Sequence, residues 1–266
     1  MQENYNASLR IFVVLAYLTM IIINGVGNLL PLNGMSTGMV SDSYPNLFAP
    51  AGLTFAIWGV IYFLLACYIL YQWGFFQKIG QEPDPKLMRN IAIYFIISSL
   101  ANAAWIFAWH FQQIPMSMLL MVVILICLIM VNKEINKNKL SSKEKFFLRV
   151  PFSVYFAWIT VATIANATVL LVSLGWAGFG ISEIVWASIV IALGMLIGVR
   201  RIFKDRNIAY GLVLIWAYLG ILIKHTGSSG FNGQYPQVIA VVAACIIIFI
   251  AAEIYIMISK RSTSLF

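Results

Sequence analysis

Apolar runs recur along the whole chain, and each is long enough to matter. Eight can be traced: Ile11–Leu30, Ala51–Gln72, Ile91–Phe111, Met116–Val131, Val150–Leu171, Ile184–Val199, Ile208–Ile223 and Val238–Ile258. A helix crossing a hydrocarbon core about 30 Å thick needs about 20 such residues. In lipid every backbone polar group must be satisfied internally, which leaves helices or a closed barrel. Continuous apolar runs of this length select helices. The expectation is therefore an all-α integral membrane protein with about eight transmembrane helices. Charged residues make up only 10% of the 266, and little chain remains for a soluble catalytic domain.

The charges that do occur are sorted between connections. The N-terminal tail carries Arg10. The second connection carries Lys78, Lys86 and Arg89. The fourth carries Lys133, Lys137, Lys139, Lys143, Lys145 and Arg149, and the sixth carries Arg200, Arg201, Lys204 and Arg206. The C-terminal tail carries Lys260 and Arg261. Sixteen cations thus fall on one side, against Lys224 alone on the other. Cytoplasmic connections are enriched in Lys and Arg, so the split predicts an even number of spans with both termini cytoplasmic. It also gives the net charge of +8 a membrane explanation, through anionic headgroups rather than nucleic acid. The first run is read as a retained span, because no small-residue cleavage site follows it. The expected location is a bacterial cell membrane.

Cys67, Cys127 and Cys245 each lie inside an apolar run without a CxxC partner, and read as packing residues. There is no Walker A loop, no HExxH, no GxSxG and no cluster with metal-ligand spacing. No enzyme activity and no intrinsic cofactor are expected. His110 and His225 sit near the cation-poor ends of their spans and read as interfacial side chains.

The aromatic residues carry more information. Trp73, Trp176 and Trp186 fall where interfacial belts form. Trp58, Trp105, Trp109 and Trp158 fall inside spans two, three and five, where helix packing and an aromatic-lined pocket are both open readings. Polar neighbours share their faces: Asn102 with Trp105, Tyr62 with Trp58, and Asn166 with Trp158. An amide in lipid needs a partner. Three aromatic–polar faces together suggest a lined cavity.

Three segments carry a resemblance to a known family. Phe48-Ala49-Pro50, followed by Trp58 and Tyr62, is similar to an F-x-P-P-x-W-x-F-x-x-V-W-x-x-L-Y pattern. Asn102-Ala103-Ala104-Trp105 is similar to N-x-x-W. The stretch from Tyr155 through Trp158, Ala162 and Thr163 to Asn166 is similar to P-Y-L-x-W-x-x-x-A-T-x-L-N. In order and spacing these resemble the tryptophan-rich sensory protein (TspO) family, which includes the mitochondrial translocator protein, once called the peripheral benzodiazepine receptor. The likeness covers about residues 9–174. The family's double proline is Ala49-Pro50 here, its first tryptophan aligns with Gly52, and the proline before its tyrosine is Val154.

The resemblance implies a TspO-like five-helix bundle over residues 1–174 and three additional helices over 175–266. It implies binding of a flat apolar small molecule, a porphyrin or haem, between helices two, three and five under the first loop. Carried over position by position, the ligand-binding candidates are Pro50, Trp58, Tyr62, Asn102, Trp105, Trp158, Ala162 and Asn166. The first loop would be a mobile cover. The partners expected are membrane lipid and the hydrophobic ligand, with the last three helices open to a homodimer or a protein partner. A secondary transporter of a hydrophobic small molecule is the alternative, for which Gly194 and Gly198 leave room. A porphyrin-degrading enzyme lacks any catalytic motif. Glu253, inside the last span, is singled out as a possible intramembrane ionisable site, against a carboxylate that snorkels to the interface.

Overall fold

A computed structural model describes residues 7–30, 32–77 and 83–262, the side chains of 260–262 excepted. Lys78 and the side chains of Lys260 and Arg261 therefore lie outside the described residues. Within them there are eight helices long and apolar enough to span a membrane, and no strand. They are α1 Ala7–Leu29, α2 Gly52–Gln72, α3 Pro85–His110, α4 Ile114–Lys137, α5 Ser142–Ser173, α6 Glu183–Asp205, α7 Ile208–Thr226 and α8 Pro236–Ser259.

All eight expected spans are present, and most are longer than their apolar runs. Hydropathy sees only the lipid-soluble part of a helix, whereas the backbone continues until a capping group stops it. Asp84 starts α3 well before Ile91, its carboxylate accepting from Lys86 N at 3.1 Å with Pro85 in the first turn. Ser141 and Glu144 form a capping box at the start of α5, with Ser141 N donating to Glu144 Oε2 at 2.7 Å. Ser182 caps α6 and Asn207 caps α7. Between α6 and α7 the chain turns at Arg206, in the left-handed region at φ 46°. The fourth connection shrinks accordingly, and its cations sit mostly on helix ends.

The chain divides into two compact units. The first comprises Met1–Thr37 and Ala56–Ile159, and the second comprises Gly38–Phe55 and the chain from Thr160 onward. This division does not follow the boundary near 174: α5 runs through both units, and most of the first loop groups with the last three helices.

In the first unit α3 packs along α1 and α4. The tight turn between α3 and α4 passes through Gln112 at φ 55°, which makes the two helices antiparallel neighbours. Tyr68, Phe95 and Phe152 form a mutually edge-to-face core, with ring centroids 4.9–5.8 Å apart.

In the second unit α8 packs against α6 and α7, and glycines set the closeness. A Cβ at Gly198 would stand 2.4 Å from Leu214 and 2.9 Å from Phe249. One at Gly194 would stand 2.7 Å from the Tyr218 hydroxyl. These two glycines serve helix contact, as small residues do where the surrounding lipid supplies no hydrophobic drive. The first loop is fastened rather than loose. Ala51 N donates to Gly220 O at 3.0 Å, Trp216 Nε1 donates to Thr54 O at 3.0 Å, and Lys224 pairs with Asp42 at 2.7 Å. His225 Nε2 lies 2.9 Å from Leu47 O. All four attachments are to α7. The mobile cover expected from the loop's glycine-rich composition is thus a strap, because long-range partners satisfy its backbone groups.

Candidate ligand-binding site

The site candidates divide between the two units. In the first, Trp58 is the hub. Its ring stacks on Tyr62 at a centroid distance of 5.6 Å and meets Tyr155 and Trp158 edge-on at 5.9 and 6.3 Å. The i, i+4 spacing of Trp58 and Tyr62 on α2 places the two rings on one face. Tyr155 and Trp158, three apart on α5, present their rings to the same group.

A hydrogen-bonded chain runs into this cluster. Asn24 Nδ2, on α1, donates to Asn102 Oδ1 at 2.7 Å, and Asn102 Nδ2 donates to the Tyr155 hydroxyl at 3.3 Å. Asn24, Asn102 and Tyr155 are all buried. Two amides and a phenol thus satisfy one another where neither water nor lipid can. Asn24 was missed in the sequence because span one has no tryptophan to pair it with, and nothing sets it apart from Asn28 in the same span. The only signal was that it is an amide at mid-span. Tyr155 was visible in the family-like stretch but not singled out as a candidate.

A hydroxyl in the cluster is left over. The Tyr62 hydroxyl is buried and has no hydrogen-bond partner among the described residues. Its backbone carbonyl, by contrast, accepts from the Tyr17 hydroxyl at 2.9 Å. An unmatched buried hydroxyl costs about 1–3 kcal/mol, so a partner that arrives with a ligand would recover it.

Trp105 stacks on Trp109 at 5.2 Å, and Trp109 Nε1 donates to Thr37 O at 3.1 Å. All four interior tryptophans are at most 9% exposed, whereas Trp73 is 43% exposed. His110 and His225 are both fully buried rather than interfacial. His110 Nδ1 lies 2.8 Å from Ile106 O, and Gly27 makes room for its ring. His225 packs against Phe231 and Tyr235.

The other candidates belong to the second unit. Pro50 is buried in the strap, Asn166 is buried on α5, and Ala162 is half-buried. Glu253 is 4% exposed and does not snorkel. Its carboxylate lies over Gly211 of α7, where a Cβ would stand 1.7 Å from Oε1. Among the described residues no group of three His, Cys, Asp or Glu side chains is placed to hold a metal ion.

Eight membrane-length helices define a multi-pass membrane protein, and the family its sequence belongs to is one of membrane-bound ligand-binding or sensory proteins. The chain belongs to the TSPO-like protein family, whose sequence pattern matches residues 10–256. That match passes through all eight helices, so the family likeness extends beyond residue 174 and includes the last three. No curated protein and no solved structure shows significant similarity to the chain.

Proposed function

We propose that this protein binds a flat, mostly apolar small molecule of the tetrapyrrole class, between α2, α3 and α5, and acts in sensing or delivery. The observation that carries the reading is the Trp58 cluster with the unmatched Tyr62 hydroxyl on its stacked face. Extended rings bind flat ligands through burial and offset stacking, and a few polar groups fix orientation. Trp58 and Tyr62 supply the stacking surface. The Tyr62 hydroxyl supplies a donor for a ring-edge substituent of the ligand.

The Asn24–Asn102–Tyr155 chain holds Tyr155 in place and leaves it against Trp58. None of these residues is a histidine, so the set suits a macrocycle held by its faces and edge. A bound haem would bring its own metal. The split of cations between connections supports cytoplasmic termini in a bacterial cell membrane.

The test is a fluorescence titration of the purified protein with a panel of tetrapyrroles. Saturable quenching of tryptophan emission is expected, because ring contact with an indole quenches it. Quenching that rises linearly with concentration, as for partition into detergent, would overturn the reading.

A further inference from the structure

The second unit holds a cleft that shares no residue with the Trp58 cluster. Its volume is about 290 Å³, and it lies between the first connection, the end of α5, the fifth connection and the start of α6. Small-molecule sites occupy about 300–1,000 Å³, so this cleft suits a compact group rather than a macrocycle.

Two indoles and one carboxylate set its chemistry. Trp176 and Trp186 line it with ring centroids 5.0 Å apart, tilted at 60°. Trp186 Nε1 already donates to Gly178 O at 2.7 Å. That indole lies so close to the fifth connection that a Cβ at Gly178 would stand 3.1 Å from it. With its donor engaged, what Trp186 has left to offer is its ring face, which is electron-rich.

The polar side chains of the wall are mostly engaged as well. Asn46 Nδ2 donates to Tyr44 O, and its Oδ1 accepts from Phe48 N and Ala49 N. Thr168 donates to Ile164 O. Glu183 differs: it is the one ionisable side chain in the lining, it is exposed, and among the described residues it makes no hydrogen bond or ion pair. Its place in the first turn of α6 favours a carboxylate through the helix dipole. The dipole explains neither the paired indoles nor the apolar cleft beside them.

The surroundings favour a positive guest. This end of the spans carries a single cation, Lys224, and Asp42 neutralises it at 2.7 Å. A free carboxylate lining the same cleft as two indoles, with no competing cation, is a combination that suits ammonium groups. We infer that this cleft binds an organic ammonium cation with an apolar body. The cationic head lies between Glu183 and the faces of Trp176 and Trp186, and the body lies along Leu171 and Val172. A small free amine and the choline head of a lipid share this chemistry.

Benzyltrimethylammonium is the probe, titrated by calorimetry into the full-length protein in maltoside micelles, with benzyl alcohol as the uncharged comparator. The cation should bind saturably and the alcohol should not. Glu183→Gln should weaken the cation by about tenfold, because it removes the charge and leaves the indole faces in place. Trp176→Leu, at a position 37% exposed, should weaken it similarly without disturbing the fold. Adding phosphatidylcholine to the micelles distinguishes the sources. Competition would mean that the site accepts a lipid head, and unchanged affinity would mean that it takes the free cation. Equal affinity for the cation in the wild type and in both variants, or saturable binding of benzyl alcohol, would overturn the inference.

Discussion

Gly220 on α7 and Thr54 at the start of α2 stand so close that a Cβ on the glycine would lie 2.1 Å from Thr54 Oγ1. The contact brings Ala51 N within 3.0 Å of Gly220 O, and Trp216 Nε1 within 3.0 Å of Thr54 O. The strap therefore depends on a missing side chain. Gly220→Ala should lower stability by about 1–3 kcal/mol, the usual cost of overpacking, and should make the first loop more sensitive to protease. Thr54→Ala in the same chain should restore much of both. Unchanged protection in the single variant would show that the loop has another anchor strong enough to replace this one.

Substitutions at the tryptophans should separate ligand contact from packing. Leu at Trp58 or Trp158 should weaken tetrapyrrole binding by about 1–3 kcal/mol, the scale of a buried aromatic anchor. Leu at the exposed Trp73 should leave affinity where it was. The check is the quenching titration, run on each variant. Equal losses at all three positions would assign the interior rings to packing alone.

Tyr62→Phe gives a sharper result because its two effects have opposite sign. Removing an unmatched buried hydroxyl should leave the ligand-free protein as stable as before or more so. The same change should weaken the ligand by about 0.5–1.5 kcal/mol, one hydrogen bond's worth. Thermal unfolding with and without ligand reads both quantities. Loss of stability without loss of affinity would remove Tyr62 from the site.

The Asn24–Asn102–Tyr155 chain should behave as one network. Asn102→Ala leaves both neighbours without their shared partner, so it should cost more than either Asn24→Ala or Tyr155→Phe. A double-mutant cycle between Asn24 and Tyr155 should show a coupling of about 0.5–1.5 kcal/mol, in the range found for hydrogen bonds between membrane helices. Strict additivity would mean that Asn102 passes nothing from one to the other.

Glu253 and Gly211 test the second unit in the same spirit. The carboxylate occupies the space a side chain at Gly211 would need. Gly211→Ala should therefore destabilise the protein more than Glu253→Gln, which keeps the shape. If Glu253→Gln shifts tetrapyrrole affinity or its pH dependence, the carboxylate takes part in function. If it leaves both unchanged, Glu253 is a packing residue only.

Much of the architecture could be read from local sequence because membrane insertion is decided locally. Run length and polarity place a helix in lipid whatever its neighbours do. The eight runs accordingly became eight helices, and capping residues explain where α3, α5, α6 and α7 begin. Trp58, Trp105 and Trp158 were legible as interior positions from their distance to the span ends, whereas the burial of Trp109, close to the end of its span, came from packing. Asn24 was not legible: an amide in an apolar run announces that it needs a partner but does not say which helix carries it. Only packing showed that the partner is Asn102, 78 residues away.

The sequence by itself thus determined the class of protein, its helices, its family and the residue types available for a ligand. The tertiary structure alone decided which of those residues meet. Trp58, Tyr62, Asn102 and Trp158 converge in one unit, while Pro50, Ala162, Asn166 and Glu253 belong to the other. It alone also showed that the first loop is tied to α7, through partners 162 to 182 residues apart. The physical reason is the same in both cases. Periodicity and hydropathy report how a segment meets its solvent, but close approach between distant segments depends on shape, and a glycine such as Gly220 records that only once its neighbour is in place.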